Sequence, residues 1–363
     1  MKITHLRTEV VHLPFSSAIK HEGLGELRSV DCVLVYLETD AGLVGEGIVF
    51  SINGQHLSSL HEMVRGFEPL VVGLDPAFGG SFAARALPAS GSFGHAGMTI
   101  VGTAGIDEAI FDLRAKAAGM NVSRLLGSCR AAVPVYRSVG LGHDYSLDEL
   151  QRAAAGFVKS GFRGMKMSIG KHAPDQDVAR VRAVRAAIGP DISLRADLNQ
   201  RLTAPQAIRL GRELEQFNLA WLEEPVRYYD HAAEAAVAAA LDMPVASGES
   251  EYSYRGMLQM LQQRSADILM PDLQRMGGPT GYLKAAHVAE AFDTPVSSHL
   301  CHEMNLALLA AVPNAIVLEY APWFEAIYRE RLELNAEGHA VVPDTPGWGF
   351  SFDPAAVKRY RAA

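Results

Sequence analysis

The chain has 363 residues, 48% hydrophobic and 20% charged, which excludes extended disorder and is long enough for two domains or one large barrel with an extension. A formal charge of −8 with no Lys/Arg block argues against nucleic acid or a membrane surface as a partner. Cys32, Cys129 and Cys301 lie far apart with no C-x-x-C spacing, so neither a disulfide framework nor a thiolate zinc site is expected.

The opening "MKITHLRTEVVHLPF" alternates apolar and polar residues like a strand and lacks the apolar core of a signal peptide. No apolar run approaches the ~20 residues of a membrane span, so a soluble cytoplasmic protein is expected. Residues 1–128 read as an α+β unit. Strands are predicted over 2–13 and 29–50, the second stretch turning at Asp40, Ala41 and Gly42. A helix follows over 104–120, with Gly119 near its stop. Two loops with polar tips are expected at 16–29 and 51–58, either of which could be a lid or a plain surface connection.

From "AAVPVYRSVG" the texture changes. Short apolar segments at 133–138, 164–168, 192–199, 219–225, 243–249, 267–272, 294–299 and 315–320 alternate with helical ones such as 177–189, 204–217 and 281–292. Eight strands in strand-helix alternation imply a closed parallel barrel. The expected division is a unit over 1–128, a barrel over 129–335, and a segment over 336–363 that packs back on the first unit.

Polar residues recur at the carboxyl ends of these strands, where barrel enzymes build their sites. Asp197, Glu223 and Glu249 end the third, fourth and fifth, each twenty-six residues from the next. Singly, each reads as readily as a helix cap or a solvated turn. Together, three converging carboxylates would repel strongly unless a cation lay among them, and all-oxygen ligands favour Mg²⁺ over zinc. Asp272 and His299 end the sixth and seventh strands and could form a dyad in which the carboxylate fixes the imidazole tautomer. Glu319 follows on the eighth. Arg275 and Trp323, just beyond the sixth and eighth strands, could line a pocket or simply cover the rim. In "RGMKMSIG", Lys166 and Ser168 alternate onto one face of the second strand.

The motifs "RADLNQ", "WLEEP", "SGES", "PDLQRMGG", "SSHLCHE" and "LEY", with "GLVGEG" and "GIDEAIFDL" upstream, resemble the mandelate racemase subgroup of the enolase superfamily. The resemblance covers nearly the whole chain. It implies an α/β fold in which an N-terminal α+β capping domain covers a modified (β/α)7β TIM-like barrel. It further implies that Asp197, Glu223 and Glu249 bind one Mg²⁺, that His299 with Asp272 is a general acid/base, and that Glu319 hydrogen-bonds a substrate carboxylate. Asn199 and Gln200 would be polar contacts nearby. Lys20, His21 and His56, on the two capping-domain loops, would grip distal substrate groups. Similar proteins assemble as homo-oligomers.

The subgroup's usual Lys-x-Lys is here Lys-x-Ser, with Ser168 in the place of the second base. A serine hydroxyl is too weak to remove a carbon-bound proton unaided, which leaves Ser168 as a substrate contact. Lys166 could place a cation near the substrate carboxylate, or serve as a base itself. With His299 the one competent base, chemistry on a single face is expected. That chemistry is α-proton abstraction through a metal-stabilised enediolate, a protonated Glu319 assisting, then loss of the β-hydroxyl from an aldonate or aldarate to give a 2-keto-3-deoxy acid. Two other readings stay open: a racemase or epimerase with Lys166 as second base, and a non-catalytic barrel that binds a sugar acid.

Overall fold

The structure is a computed structural model that describes residues 1–21 and 25–362, with side chains described for 1–15 and 26–362. Two sheets organise it. The first is antiparallel: β1 (Ile3–His21), β2 (Gly25–Thr39) and β3 (Val44–Ile52) in that order. The second holds β4 (Ala132–Arg137), β5 (Gly164–Ser168), β6 (Ser193–Asp197), β7 (Leu219–Glu223), β8 (Val245–Ser247), β9 (Ile268–Leu269), β10 (Val296–Ser297) and β11 (Ala315–Tyr320). All eight pair in parallel, and β11 pairs back onto β4, so the sheet closes into a barrel. A ninth strand, β12 (His339–Val341), lies antiparallel on the first half of β4.

The expected TIM-like barrel and antiparallel cap are therefore present. Each barrel strand but the last is followed by a helix, and their starts carry local signals. Ser146 and Glu149 form a reciprocal capping box before the helix Leu147–Lys159, as Thr203 and Gln206 do before Ala204–Leu214. Two expected strands are shorter than their apolar runs. Pro271 and Pro295 have no N–H to give the ladder, so β9 and β10 shrink to two residues each, and an isolated bridge between Asp272 and His299 resumes the pairing beyond them.

The segment 16–29, expected as a loop, is not one over its described backbone. The β1–β2 hairpin continues through Lys20 opposite Glu26 and His21 opposite Gly25, after a register shift between Pro14 and Ile19. That shift takes up the irregularity that Pro14 introduces. The stretch 51–58, also expected as a loop, is a tight turn after β3 whose Asn53, Gly54 and His56 adopt positive φ before the helix Leu57–Gly66 begins.

The cap meets the barrel through the helix Met98–Ala117, buried along almost its whole length. Its backbone lies against β3 closely enough that a Cβ at Gly47 would fall 2.0 Å from the Gly105 carbonyl oxygen. From the same helix Asp107 accepts from the Thr280 amide (2.7 Å) and hydroxyl (2.9 Å), capping the barrel helix Pro279–Ala291. The C-terminal segment closes the join. Trp348 donates its indole N–H to the Glu108 carbonyl (3.2 Å), and Ala362 its amide to Val10 (2.9 Å). Among the described residues no helix is long and apolar enough to cross a membrane.

Glu108 sits fully inside this junction, its carboxyl accepting from the Ile48 amide at 2.8 Å. Burial first, with Asp107 and Asp272 adding to it, pushes this carboxyl up to about 8. A folded-state value above the unfolded one means the protonated form favours folding. The contribution is whole below the ordinary carboxylate range and is lost as pH rises through about 8. Glu108→Gln keeps a neutral acceptor for Ile48. Its urea midpoint should fall less than the wild-type midpoint as pH is raised across that window; equal slopes would show that Glu108 contributes nothing to it.

Candidate active site

At the carboxyl ends of the barrel strands the ladder register places acidic residues side by side. Ser168 pairs with Asp197, and Asp197 with Glu223, so β5, β6 and β7 end level. Lys166, two residues before Ser168 and on the same face, reaches up among them. Its ammonium contacts Glu223, lies 3.2 Å from Asp197 Oδ2 and 3.1 Å from Glu319 Oε1, and all four side chains are buried. Burial disfavours this cation, but Glu223, Glu319 and Asp197 together raise it well above the usual lysine value.

Each carboxylate is also held by neutral donors. Asn199 gives Asp197 its amide (2.8 Å) and side-chain nitrogen (3.0 Å), and Trp221 gives Glu223 its indole N–H (2.8 Å). Leu300 donates its amide to Glu319 at 2.6 Å, while the Ser298 hydroxyl accepts from the Glu319 amide at 2.9 Å. The protonated Glu319 expected from the sequence does not fit this geometry. Burial opposes ionisation, yet Lys166, His299 and the Leu300 amide outweigh it and hold the carboxyl below its ordinary range.

Across the mouth, His299 Nδ1 meets Asp272 Oδ2 at 2.6 Å, and its Nε2 faces Glu249 Oε1 at 3.5 Å. The imidazole is raised to about 9: burial works against the charge, but Glu249 first, then Asp272 and Glu319, overcome it. Asp272 accepts in addition from the Arg275 amide at 2.8 Å, while the Arg275 guanidinium donates to the Glu249 carbonyl. Arg275 thus braces two loops of the site rather than standing free in a pocket. Several residues beside these groups, Asn199, Gln200, Glu224, Leu300 and Cys301, carry positive φ, a clustering of strained backbone typical of functional sites.

The remaining sequence candidates divide. Gln200 is tied to Glu224 (3.0 Å) and Ser250 (2.9 Å), and Glu224 is itself buried beside the site, where it acts on Glu249 and Asp197. Trp323 lies beyond β11 with its ring 5.3 Å from that of Phe15, so it joins the rim to the cap strand. His56 is exposed ahead of the helix Leu57–Gly66 and, among the described residues, shares no hydrogen bond or ion pair with the cluster. Lys20 and His21 lie outside the described residues as far as their side chains are concerned. Trp221 and Tyr136 were missed. Trp221 could have been found, since it stands two residues before Glu223 on the same strand and must share its face. Tyr136, on β4, points into the barrel beneath Lys166, whose ammonium is 6.0 Å from its ring.

The donor set suits a divalent cation by its charge. Asp197, Glu223, Glu224, Glu249, Asp272 and Glu319, six acids, face three cations, Lys166, Arg275 and a protonated His299, so negative charge is in excess. Glu223 registers the excess. Burial, with Asp197, Glu249 and Glu319 beyond what Lys166 offsets, pushes it up to about 8. Among the described residues no three acidic or imidazole groups are already gathered as a metal-binding set, because Lys166 stands between Asp197 and Glu223 while Glu249 turns to His299. Asp197, Glu223 and Glu249, at the ends of neighbouring strands, are the residues that would hold an ion.

Comparison with known proteins agrees with the fold. Residues 5–127 match the mandelate racemase/muconate lactonizing enzyme N-terminal domain, and residues 149–356 the enolase C-terminal domain-like family. The chain belongs to the mandelate racemase/muconate lactonizing enzyme family of the enolase superfamily. Among characterised relatives, L-talarate/galactarate dehydratase of Salmonella typhimurium is 32% identical over 91% of this chain and 82% of its own. Arabinonate dehydratase of Saccharolobus solfataricus is 27% identical over 95% and 94%. The crystal structure of L-talarate dehydratase from Polaromonas sp. JS666, complexed with Mg and L-glucarate, superposes with a TM-score of 0.95 at 32% identity, covering 100% of this chain and 98% of that one.

Removing the shared cation tests the electrostatics directly. Lys166→Met should destabilise the metal-free protein by about 3–5 kcal/mol in urea unfolding, since it strands buried carboxylates without their partner. Ser168→Ala should change it by less than about 1 kcal/mol. Similar, small losses for both would contradict this reading of Lys166.

Proposed function

We propose that the chain is an Mg²⁺-dependent dehydratase that converts a sugar acid, an aldonate or aldarate, to its 2-keto-3-deoxy acid. The observation that carries this reading is the Asp272–His299 pair at 2.6 Å, whose Nε2 faces Glu249 of the carboxylate cluster at 3.5 Å. The relatives named for talarate, galactarate and arabinonate dehydration support the substrate class.

Asp197, Glu223 and Glu249 would hold the ion, as the Mg in the Polaromonas structure suggests. When bound, it supplies positive charge for the substrate carboxylate as the α-proton leaves. The other parts belong to the chain. With Glu249 turned to hold the ion, His299 would lose the contact that most favours its Nε2 proton; Asp272 keeps the remaining proton on Nδ1, and the Nε2 lone pair so exposed removes the proton from C2. The Nε2–H so formed then protonates the departing β-hydroxyl, which leaves as water, and the resulting enol becomes the keto acid.

Lys166 serves as a fixed cation. Glu319, which is not among the ion's ligands, would keep the Lys166 ammonium charged, and this weighs against the racemase reading. Glu319, ionised, holds Lys166 and the Leu300 amide in place. Ser168, half-buried level with Asp197, is placed to hydrogen-bond a substrate hydroxyl on the face where no second base stands.

A panel of aldonates and aldarates incubated with the protein and Mg²⁺ should yield a 2-keto acid from at least one member. His299→Asn should lower that rate by about 10²–10⁴-fold, the usual worth of a general acid/base. Thermal stabilisation by sugar acids with no keto acid across the panel would instead support a binding barrel and refute the dehydratase.

A further inference from the structure

The amino-terminal end of the barrel, opposite the acidic cluster, carries a cavity of about 220 Å³. It opens between the first residues of β4, β5, β6 and β11 and is flanked by Gly338 and His339 of β12. Its polar lining includes Arg163, Ser193, Arg195 and His339, and no carboxylate lines it.

Arg195 is the feature that asks for a ligand. It is only 6% exposed, and its Nε and Nη1 have no hydrogen-bond partner. The guanidinium is held between two aromatic rings, 4.4 Å from the centre of Tyr136 and 4.2 Å from Trp221. The fold makes room for it: a Cβ at Gly164 would stand 2.9 Å from Nη1. The rings satisfy its faces, but they do not satisfy its N–H groups, and a buried cation with unmet donors is costly unless an acceptor arrives. Buried Glu223 acts on this charge without giving Nε or Nη1 a hydrogen bond, and Glu337, 3.7 Å from His339 Nδ1, is 74% exposed, so solvent screens it.

We propose that this cavity is a binding site for a small oxyanion, with Arg195 as the buried donor and Arg163 and His339 at its rim. The fork of N–H groups on a guanidinium fits a tetrahedral oxyanion such as sulfate or phosphate and equally the carboxylate of a short acid. The cavity opens at the end of the barrel away from His299, and the proposal stands whether or not the dehydratase reading does.

Calorimetric titration of the intact Mg²⁺-loaded protein with sulfate and, separately, with acetate tests it. Saturable binding of either anion is expected, tighter for sulfate if the natural ligand is tetrahedral and for acetate if it is a carboxylate. Arg163→Ala and Arg195→Met should each raise Kd at least about tenfold, the loss of one charge-assisted hydrogen bond, whereas His299→Asn should leave it unchanged. Should Arg195→Met fail to fold, exposed Arg163 and His339 (as Arg163→Ala and His339→Asn) decide the matter. No saturable binding, Kd unaltered in the variants that fold, or loss of binding in His299→Asn would overturn the proposal.

Discussion

One buried ammonium sets the terms for the rest of this molecule. Lys166 draws Asp197, Glu223 and Glu319 into a space that their mutual repulsion would otherwise forbid. The barrel serves that contact. Its parallel register brings β5, β6 and β7 to end at one level, so a side chain from the middle of β5 can reach acids at the ends of its neighbours. The neutral donors Asn199, Trp221 and Leu300 then fix each carboxylate at the oxygen Lys166 does not take or shares.

Compensation at the mouth is incomplete, and the shortfall has a direction. Lys166 lies on the Ser168 side, while the Asp272–His299 pair lies across from it beside Glu249. A substrate seated between them would meet a fixed cation on one face and a proton acceptor on the other. The proposed elimination would use this asymmetry, in which Ser168 stands where a second base would be needed to invert a stereocentre. Arg275 ties the halves together, since its backbone holds Asp272 and its guanidinium holds the Glu249 loop.

Much of this was legible in the residues. Strand-helix alternation after residue 131 gave the barrel, and the even spacing of Asp197, Glu223 and Glu249 marked its working end. The Asp272–His299 contact followed from their matched positions on adjacent strands. What escaped reading depended on partners distant in sequence. Nothing local in "LRADLN" says that Arg195 lies between Tyr136 and Trp221, because those rings come from β4 and β7. The ionised state of Glu319 is set by Lys166 and by the Leu300 amide, neither a sequence neighbour. The strand pairing at 19–21 and 25–27 was hidden by the glycines and serines of this stretch, which read as a loop until pairing with the opposite strand is seen.

The account rests on a charge deficit at the barrel mouth that a divalent cation relieves. Titrating the metal-free protein with Mg²⁺ by calorimetry measures that relief. One ion per chain is expected, with affinity reduced at least about 100-fold in Asp197→Asn and in Glu223→Gln, as removal of a direct ligand should exceed the 10–100-fold usual for its supporting neighbours. Binding that is absent, or that is indifferent to both substitutions, would contradict the assignment of this cluster as the site of the ion.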